Sequence, residues 1–173
     1  MILAIDPGNI ESAYVLIREK DLEPVKFAKI ENKALLGYLR SLYANYDIKY
    51  AAIEMVASYG MAVGATVFET CVWIGRFYET LKNIDSEWGI SDITYIYRKD
   101  EKMNLCGSMK AKDSNIIQAL IDRFAPNASN KGKGTKKNPE WFYGFKKDIW
   151  QAYAVGVTYH DMYLNKDGGL IEN

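Results

Sequence analysis

The segment "ILAIDPGNIESAYVLI", residues 2–17, decides the fold. It contains two apolar runs with strand-like patterning, separated by the turn residues "DPGN". The first run ends on a carboxylate, Asp6, although aspartate is a poor strand former and is costly to bury without a partner. We therefore expect a β-hairpin whose first strand ends on an acid that either belongs to the turn or binds something.

Working outward from this hairpin, the chain predicts a mixed α/β sheet in the order βββαβαβα, with helices on both faces. Its 173 residues suit a single domain, 1–173. Short connections between the first three strands favour an antiparallel meander. The predicted elements are strands 2–6, 11–18, 24–30, 49–55 and 92–97, helices 32–46, 65–83 and 112–124 (the last with Asp113 or Ser114 at its N-cap), and a final helix from about Asp148. Residues 125–147 are expected to be irregular, and the basic stretch within them mobile.

Composition excludes several classes of protein. Apolar residues make up 49% of the chain and charged residues 25%, as in ordinary globular proteins. No apolar run approaches the ~20 residues of a membrane span. Asp6 interrupts the N-terminal run too early for a signal peptide. Cys71, Cys106 and the single histidine, His160, form no zinc pattern, so we expect reduced thiols and a cytoplasmic protein.

Charge is distributed unevenly along a chain whose net charge is zero. Residues 98–147 hold 12 Lys+Arg and 5 Asp+Glu, whereas the remainder holds 10 and 17. This pattern is compatible with a basic face that binds a polyanion. Chance clustering in a neutral protein explains it equally well.

Two of the acids share a sequence context. Asp6 and Glu54 both follow Ala-Ile, in "LAID" and "AAIE", near the ends of apolar strands. If these strands are adjacent and parallel, their carboxyl ends lie at the sheet edge where α/β proteins place their sites. A third acid, Asp148, begins the last helix. Clustered carboxylates of this kind bind Mg²⁺, and acids from several elements can hold two ions about 4 Å apart.

Each acid alone also has a structural explanation. Asp6 could cap the turn before Pro7, and Glu54 could pair with a lysine. Asp148 and Gln151 have the spacing of a capping box in "DIWQ". Because two apolar strands both finish on an acid, a shared site is the stronger interpretation.

Four segments, in order, resemble the RuvC-type Holliday-junction resolvases of the RNase H-like superfamily. These are "ILAIDPGNIESAYVLI", "AAIEMV", "EKMNLCGSMKAKDSNI" and "KKDIWQAYAVGVTYHD". The chain is most similar to the small members encoded by bacteriophages. The resemblance implies an RNase H-like fold and a metal-dependent endonuclease of the crossover-junction type that acts on branched DNA. It also implies a homodimer to which helix 65–83 contributes, although a plain buried helix is about as compatible with that sequence.

The resemblance also assigns roles to residues. Asp6, Glu54 and Asp148 would hold two Mg²⁺ ions, with Mn²⁺ as the alternative, and Lys102 and Lys112 would approach the cleaved backbone. On spacing alone, a solvated surface is the simpler interpretation of these two lysines. The chain departs from the family at Gln151, where a second acid usually stands one turn into the last helix, so the fourth ligand is open.

Further residues are candidates for DNA contacts. Further lysines, Lys131, Lys133, Lys136 and Lys137 in "KGKGTKK", would contact backbone phosphates. The tract also has the composition of a disordered loop, which is fully compatible with such binding. Tyr59 follows the second acidic strand and could stack on an opened base, although a partly buried tyrosine is the simpler interpretation.

The sequence thus predicts a Mg²⁺-dependent endonuclease acting on branched DNA, with two rivals. The first is a junction-binding protein without activity, in which Gln151 marks lost catalysis. The second is an actin-like phosphotransferase, since those proteins also begin with an acid after a hydrophobic strand. That rival requires a Gly-rich phosphate loop and usually a longer, two-lobed chain, and the sequence shows neither.

Overall fold

Five strands form one sheet, and helices pack on both of its faces. The computed structural model describes residues 1–58, 60, 62–88 and 92–165, and only the backbone of 85–88. The strands are β1 (Ile2–Asp6), β2 (Glu11–Ile17), β3 (Pro24–Glu31), β4 (Tyr50–Met55) and β5 (Asp92–Tyr97). The helices are α1 (Asn32–Asn45), α2 (Ala65–Trp88), α3 (Arg98–Cys106), α4 (Asp113–Phe124) and α5 (Lys147–Tyr159), and a π-helical turn, His160–Leu164, extends α5.

The strand order is β3-β2-β1-β4-β5. The first three strands form the predicted antiparallel meander. Strand β4 runs parallel to β1, and β5 runs parallel to β4. The carboxyl ends of β1, β4 and β5 therefore meet at one edge of the sheet, called the carboxyl edge below.

Alternation along β1 assigns its residues to two cores. Ile2 and Ala4 pack on the face covered by α4 and α5, whereas Leu3 and Ile5 pack on the face covered by α1 and α2. Successive side chains of a strand point to opposite faces, so one apolar run supplies both cores. The predicted fold class, a mixed α/β sheet with helices on both faces, is confirmed.

One helix, α3, was not among the predicted elements. The described order is βββαβαβααα, and the predicted order βββαβαβα also counted the two helices predicted after β5 as one. Its sequence, "RKDEKMNLC", has too few apolar residues to show helical periodicity. The helix is instead defined by its ends. The Tyr97 N–H donates to Asp100 Oδ2 at 3.0 Å, and Gly107 ends the helix in the left-handed region, at φ 63°.

Two predicted boundaries are also corrected. Helix α2 continues to Trp88 rather than ending at residue 83. The N-cap of α4 is Lys112 rather than Asp113 or Ser114. The Lys112 N–H donates to Asn115 Oδ1 at 2.8 Å, so the side chain of Asn115 satisfies the donor at this end.

Residues 125–147 are irregular, as expected, apart from a short 3-10 turn at Ser129–Gly132, and two aromatic residues attach this segment to the core. The mobility expected of the basic stretch stays a prediction. Phe142 and Phe145 are fully buried and pack against Trp150 and Tyr153 of α5. The Phe142 N–H donates to the carbonyl of Gly132 at 2.8 Å. Gly132 has a φ of +69°, and a Cβ there would lie 2.5 Å from Cβ of Ala125, so this close approach requires glycine. The basic tract is thus anchored to the core at its base.

Two sequence expectations concern the whole chain. Cys71 and Cys106 are free thiols, as expected. Among the described residues, no helix combines the length and apolar character needed to cross a membrane.

Candidate active site

Asp6 and Glu54 lie side by side at the carboxyl edge. Ile5 of β1 is paired with Ile53 of β4 in parallel register, and each acid is the next residue of its strand. Because side chains alternate, both acids lie on the sheet face that α5 covers. Their carboxyl groups are close enough that the charge of Glu54 raises the pKa of Asp6.

The turn after Asp6 is closed by other residues. The Gly8 N–H donates to Ser12 Oγ at 3.2 Å, and Ser12 Oγ donates to Asn32 Oδ1 at 2.6 Å. Asn32 Nδ2 in turn donates to the carbonyl of Gly8 at 2.9 Å. Ser12 and Asn32 are buried, so this network fixes the turn without the carboxyl of Asp6. The turn-capping explanation of Asp6 is therefore unnecessary.

Asp148 does not cap α5. The N-cap is Lys146, whose backbone is extended, and it makes no side-chain capping bond. Asp148 is the second helical residue, so Gln151 lies beyond the capping-box position and that explanation is wrong. The Asp148 carboxylate instead pairs with Lys29 Nζ of β3 at 2.6 Å, and Lys29 also lies 3.5 Å from Glu11.

A further acid, Glu101 of α3, lies near this site and was missed in the sequence. Its side chain is fully buried, and Arg98 Nη1 donates to its Oε2 at 2.5 Å. Arg98 Nη2 also donates to Asp113 Oδ1 at 2.5 Å. In the sequence Glu101 stands within "RKDEK", which is typical of a solvated helix face. The indication available in the sequence was that Glu101 follows closely after β5, the third of the parallel strands β1, β4 and β5.

The acids perturb one another electrostatically. Burial raises the pKa of Asp6 well above its ordinary value, and the charges of Glu54, Asp148 and Glu101 raise it further. Burial likewise raises the pKa of Glu101, and the charge of Glu54 adds to this shift while Arg98 opposes it. The cluster therefore holds more negative charge than its own cations neutralise. A bound cation would reduce the repulsion between these carboxylates.

The raised pKa values predict how pH affects stability. In the unfolded chain these carboxyls ionise near their ordinary pKa, about 4. In the folded, metal-free protein, Asp6 and Glu101 keep their protons to higher pH, so the folded state binds more protons and its free energy of unfolding falls as pH rises through this interval. Asp6→Asn should reduce that decline and raise the Tm at pH 7. Thermal denaturation in EDTA from pH 4 to pH 8 measures both effects.

The exposed Asp122 of α4 provides a matched control for this experiment, because Asp122→Asn makes the same change outside the cluster. We expect the control to decline with pH as the wild type does. An unchanged decline in Asp6→Asn would show that Asp6 ionises normally in the folded protein.

The donor atoms suit a hard divalent cation. Carboxylate and amide oxygens are the ligands that Mg²⁺ prefers. Within the described part of the chain, the buried Oε1 atoms of both Glu101 and Gln151 have no hydrogen-bond partner. Unpaired buried acceptors of this kind are uncommon in proteins, and these two oxygens have the capacity to bind a water or a cation.

The acids of the cluster are not arranged as a complete set of metal ligands. Across the described ranges, no three Asp, Glu, His or Cys side chains are grouped tightly enough to enclose an ion. The ion pair between Asp148 and Lys29 gives one reason, since it already neutralises the acid on α5. Binding would require side-chain movement at Asp148.

The predicted basic residues are placed as follows. Lys102 is half-buried on α3, directly after Glu101, and Lys112 is exposed at the start of α4. Arg98 joins these two segments through Glu101 and Asp113. Lys131, Lys136 and Lys137 are exposed and Lys133 is half-buried. Tyr59 lies outside the described residues.

Two concave surfaces border the acids. A cavity of about 380 Å³ lies beside Glu54 and Arg98, with apolar walls that include Val56 and Val63. A groove of about 690 Å³ runs past Asp148 and is lined by Phe27, Lys29, Lys146 and Lys147. The second surface combines cations with an aromatic ring next to an acid of the cluster.

Comparison with solved structures identifies the fold. The structure of T. thermophilus RuvC in complex with Holliday junction substrate is similar with a TM-score of 0.62, at 12% identity over 91% of this chain and 91% of that one. The structure of Thermus thermophilus RuvC has a TM-score of 0.60, at 16% identity over 93% of this chain and 95% of that one. No protein-family model matches this chain, and no curated protein matches it in sequence. At these identities the likeness establishes the fold, which is the RNase H-like fold of RuvC.

Proposed function

We propose that this protein is a Mg²⁺-dependent endonuclease that cleaves phosphodiesters in branched DNA, with the four-way junction as its substrate. The observation that carries the proposal is the pairing of Asp6 and Glu54 at the carboxyl edge, on the face covered by α5. The RuvC structure with the same fold is a complex with a Holliday junction, which supports this choice of substrate.

The acids have distinct positions in the proposed site. Asp6 is influenced by the charges of both Glu54 and Asp148, so it is the acid best placed to be shared between two ions. Glu54 and Asp148 would then hold the two ions from either side. Bound Mg²⁺, or Mn²⁺ in its place, lowers the pKa of an attacking water and stabilises the leaving oxygen.

Lys102 and Lys112 would neutralise the charge that develops on the phosphate during cleavage. The Arg98 bonds to Glu101 and Asp113 support this role, because they fix the start of α4 relative to α3. These two lysines act on the reacting phosphate, whereas the lysines described next act on the flanking DNA.

The flanking duplex would lie on the basic residues. The anchored loop carries Lys131, Lys133, Lys136 and Lys137, and the groove beside Asp148 adds Lys146 and Lys147. Contacts to backbone phosphates position a duplex without reading its sequence. We extend the proposal to Tyr59, which would stack on an opened base where the arms meet.

We also propose that the protein acts as a homodimer. On α2, Phe77 and Leu81 are buried, but Phe68 and Val72 are 61% and 62% exposed. These two side chains are one turn apart and form an apolar surface that a second copy could cover. A dimer would present two sites to a junction that has two equivalent strands to cut. The similarity to bacteriophage-encoded resolvases stays a prediction.

The test of the proposal is cleavage of a labelled synthetic four-way junction, with a linear duplex of the same sequence as the control. We expect Mg²⁺-dependent nicking of the junction and little nicking of the duplex. Junction binding without cleavage would favour the rival junction-binding protein. ATP hydrolysis without either would favour the actin-like phosphotransferase.

Gln151 provides a prediction about metal affinity. Its buried Oε1 has no partner in the described residues, and the site holds one charge fewer than its relatives if Gln151 fills the fourth position. Gln151→Asp should lower the Mg²⁺ concentration for half-maximal cleavage by about tenfold, because an added carboxylate attracts the divalent ion. Mn²⁺, which generally binds oxygen and nitrogen sites at least as well, should raise wild-type activity relative to Mg²⁺. A titration of junction cleavage with each metal measures both.

Gln151→Asn is the matched control, since it keeps the amide and adds no charge. We expect its Mg²⁺ requirement to be no lower than that of the wild type. Superimposable curves for the wild type and Gln151→Asp would mean that residue 151 does not face the metals, and the three-acid site would stand without it.

A further inference from the structure

The burial of Glu101 is unusual for an acid near the surface end of a sheet. Its side chain is 0% exposed, although it belongs to a short, highly charged helix. A buried carboxylate is costly unless it is both paired and fully hydrogen-bonded. Something must therefore offset the cost of holding Glu101 in this place.

The bond from Arg98 offsets this cost incompletely. Arg98 donates to Oε2 of Glu101, but its other nitrogen donates to Asp113, so one guanidinium serves two acids. The second oxygen of Glu101, Oε1, is buried and finds no partner among the described residues. Buried acceptors in proteins nearly always have a partner, so this oxygen has the capacity to accept from a bound water or to ligate a cation.

The fold places Glu101 beside the proposed site. Strand β5 pairs with β4 in parallel register, with Ile96 next to Glu54, and α3 begins immediately after β5. Glu101 is the fourth residue of α3, so it lies just past the carboxyl edge that carries Glu54. The charge of Glu54 raises the pKa of Glu101 across this short interval, and the charge of Glu101 raises the pKa of Asp6.

We propose that Glu101 is a fourth acid of the metal site, which supplies the carboxylate that Gln151 lacks, and that Arg98 is the positioning residue that holds it there. This inference rests on the proposed function. The resemblance would place the fourth acid on α5, whereas this inference places it on α3, at Glu101. The buried Oε1 of Glu101 would then be a ligand of the bound cation.

The charge balance of the cluster supports the assignment. Two cations lie among its four acids, Lys29 and Arg98. Each also engages an acid outside the cluster, Lys29 with Glu11 and Arg98 with Asp113. The cluster therefore retains negative charge even with both cations in place, and a divalent ion would neutralise it.

The experiment measures Mn²⁺ binding directly, by electron paramagnetic resonance of the free ion, without reference to cleavage. Glu101→Gln keeps a hydrogen-bond acceptor for Arg98 but removes the charge. We expect it to weaken Mn²⁺ binding by about tenfold, which one nearby charge can supply at a partly screened site. The conservative variant Glu101→Asp should retain most of the wild-type affinity.

Asp113→Asn is the matched control. Asp113 is the other acid that pairs with Arg98, but it is exposed, so the substitution removes a charge outside the buried cluster. We expect its Mn²⁺ affinity to stay within about twofold of the wild type, since an exposed charge is largely screened. Circular dichroism identifies any variant that fails to fold. Glu101→Met, which fills the buried space with an apolar chain, replaces Glu101→Gln in that event and should weaken binding at least as much.

The outcomes separate this inference from the proposed function. If Asp6→Asn loses Mn²⁺ binding while folded Glu101→Gln binds as the wild type does, Glu101 is a structural partner of Arg98 only and the inference is wrong. If the wild type itself binds no Mn²⁺ saturably, both the inference and the proposed metal site are overturned.

Discussion

Asp6→Asn should reduce cleavage of a four-way junction by about 100-fold or more, the effect of removing one essential charge-bearing group from a preorganised site. The substitution changes little volume, and the turn after Asp6 is closed by Ser12 and Asn32, so the fold should persist. Junction binding should also persist, since the lysines of the basic loop are untouched. Single-turnover nicking in Mg²⁺ and gel-shift binding in EDTA measure the two properties separately.

Glu54→Gln and Asp148→Asn should behave in the same way, because each removes one carboxylate from the same edge. Asp122→Asn, on the exposed face of α4, is the matched control and should cleave at the wild-type rate. Cleavage at the wild-type rate in any of the three site variants would remove that residue from the site.

The second large effect is expected from the basic loop. Each phosphate contact contributes about 0.9 to the slope of log affinity against log salt, so replacing four lysines with glutamine should flatten this slope by about 3 to 4. Affinity at low salt should fall steeply as a consequence. The substituted residues are Lys131, Lys133, Lys136 and Lys137, and junction affinity is measured by fluorescence anisotropy from 50 to 300 mM salt, a range typical for such titrations. The base that is cut should not change.

A control variant with the same loss of charge replaces four lysines outside residues 98–147. These are Lys20, Lys26, Lys49 and Lys82. We expect this variant to keep the wild-type slope. If the loop variant also keeps that slope, the loop does not contact DNA.

The strands and three of the acids were predictable because their signals are local. An apolar run that stops on an acid is visible in the sequence. Asp6 and Glu54 share an Ala-Ile context, so a common site was expected if their strands were adjacent and parallel. The structure confirms that β1 and β4 are adjacent and parallel. The roles of these acids in binding metal stay predictions.

Glu101 was not predictable because its burial depends on tertiary packing. In "RKDEKMNLC" it is one charge among several, and only the position of α3 over the carboxyl edge separates it from solvated neighbours such as Lys99. The start of α5 shows the same limit. Asp148 and Gln151 have capping-box spacing, but the N-cap is Lys146, whose backbone is extended, so the helix begins before Asp148. Neither Asp148 nor Gln151 therefore occupies a capping position.

The anchoring of the basic loop to the core was not predicted, for a different reason. "NKGKGTKKNPE" has the composition of a flexible segment, but the aromatic residues that follow it belong to the core. Phe142 and Phe145 fix the base of the loop against α5, and the tight turn at Gly132 brings the chain back to meet them.

The most direct test of the proposed site is anomalous diffraction from crystals grown with Mn²⁺, which locates the bound ion. We predict an anomalous peak at the carboxyl edge in contact with the carboxylates of Asp6 and Glu54, with Asp148 turned from Lys29 toward the ion. Mn²⁺ bound only elsewhere, with Asp148 still paired with Lys29, would contradict the metal-dependent mechanism.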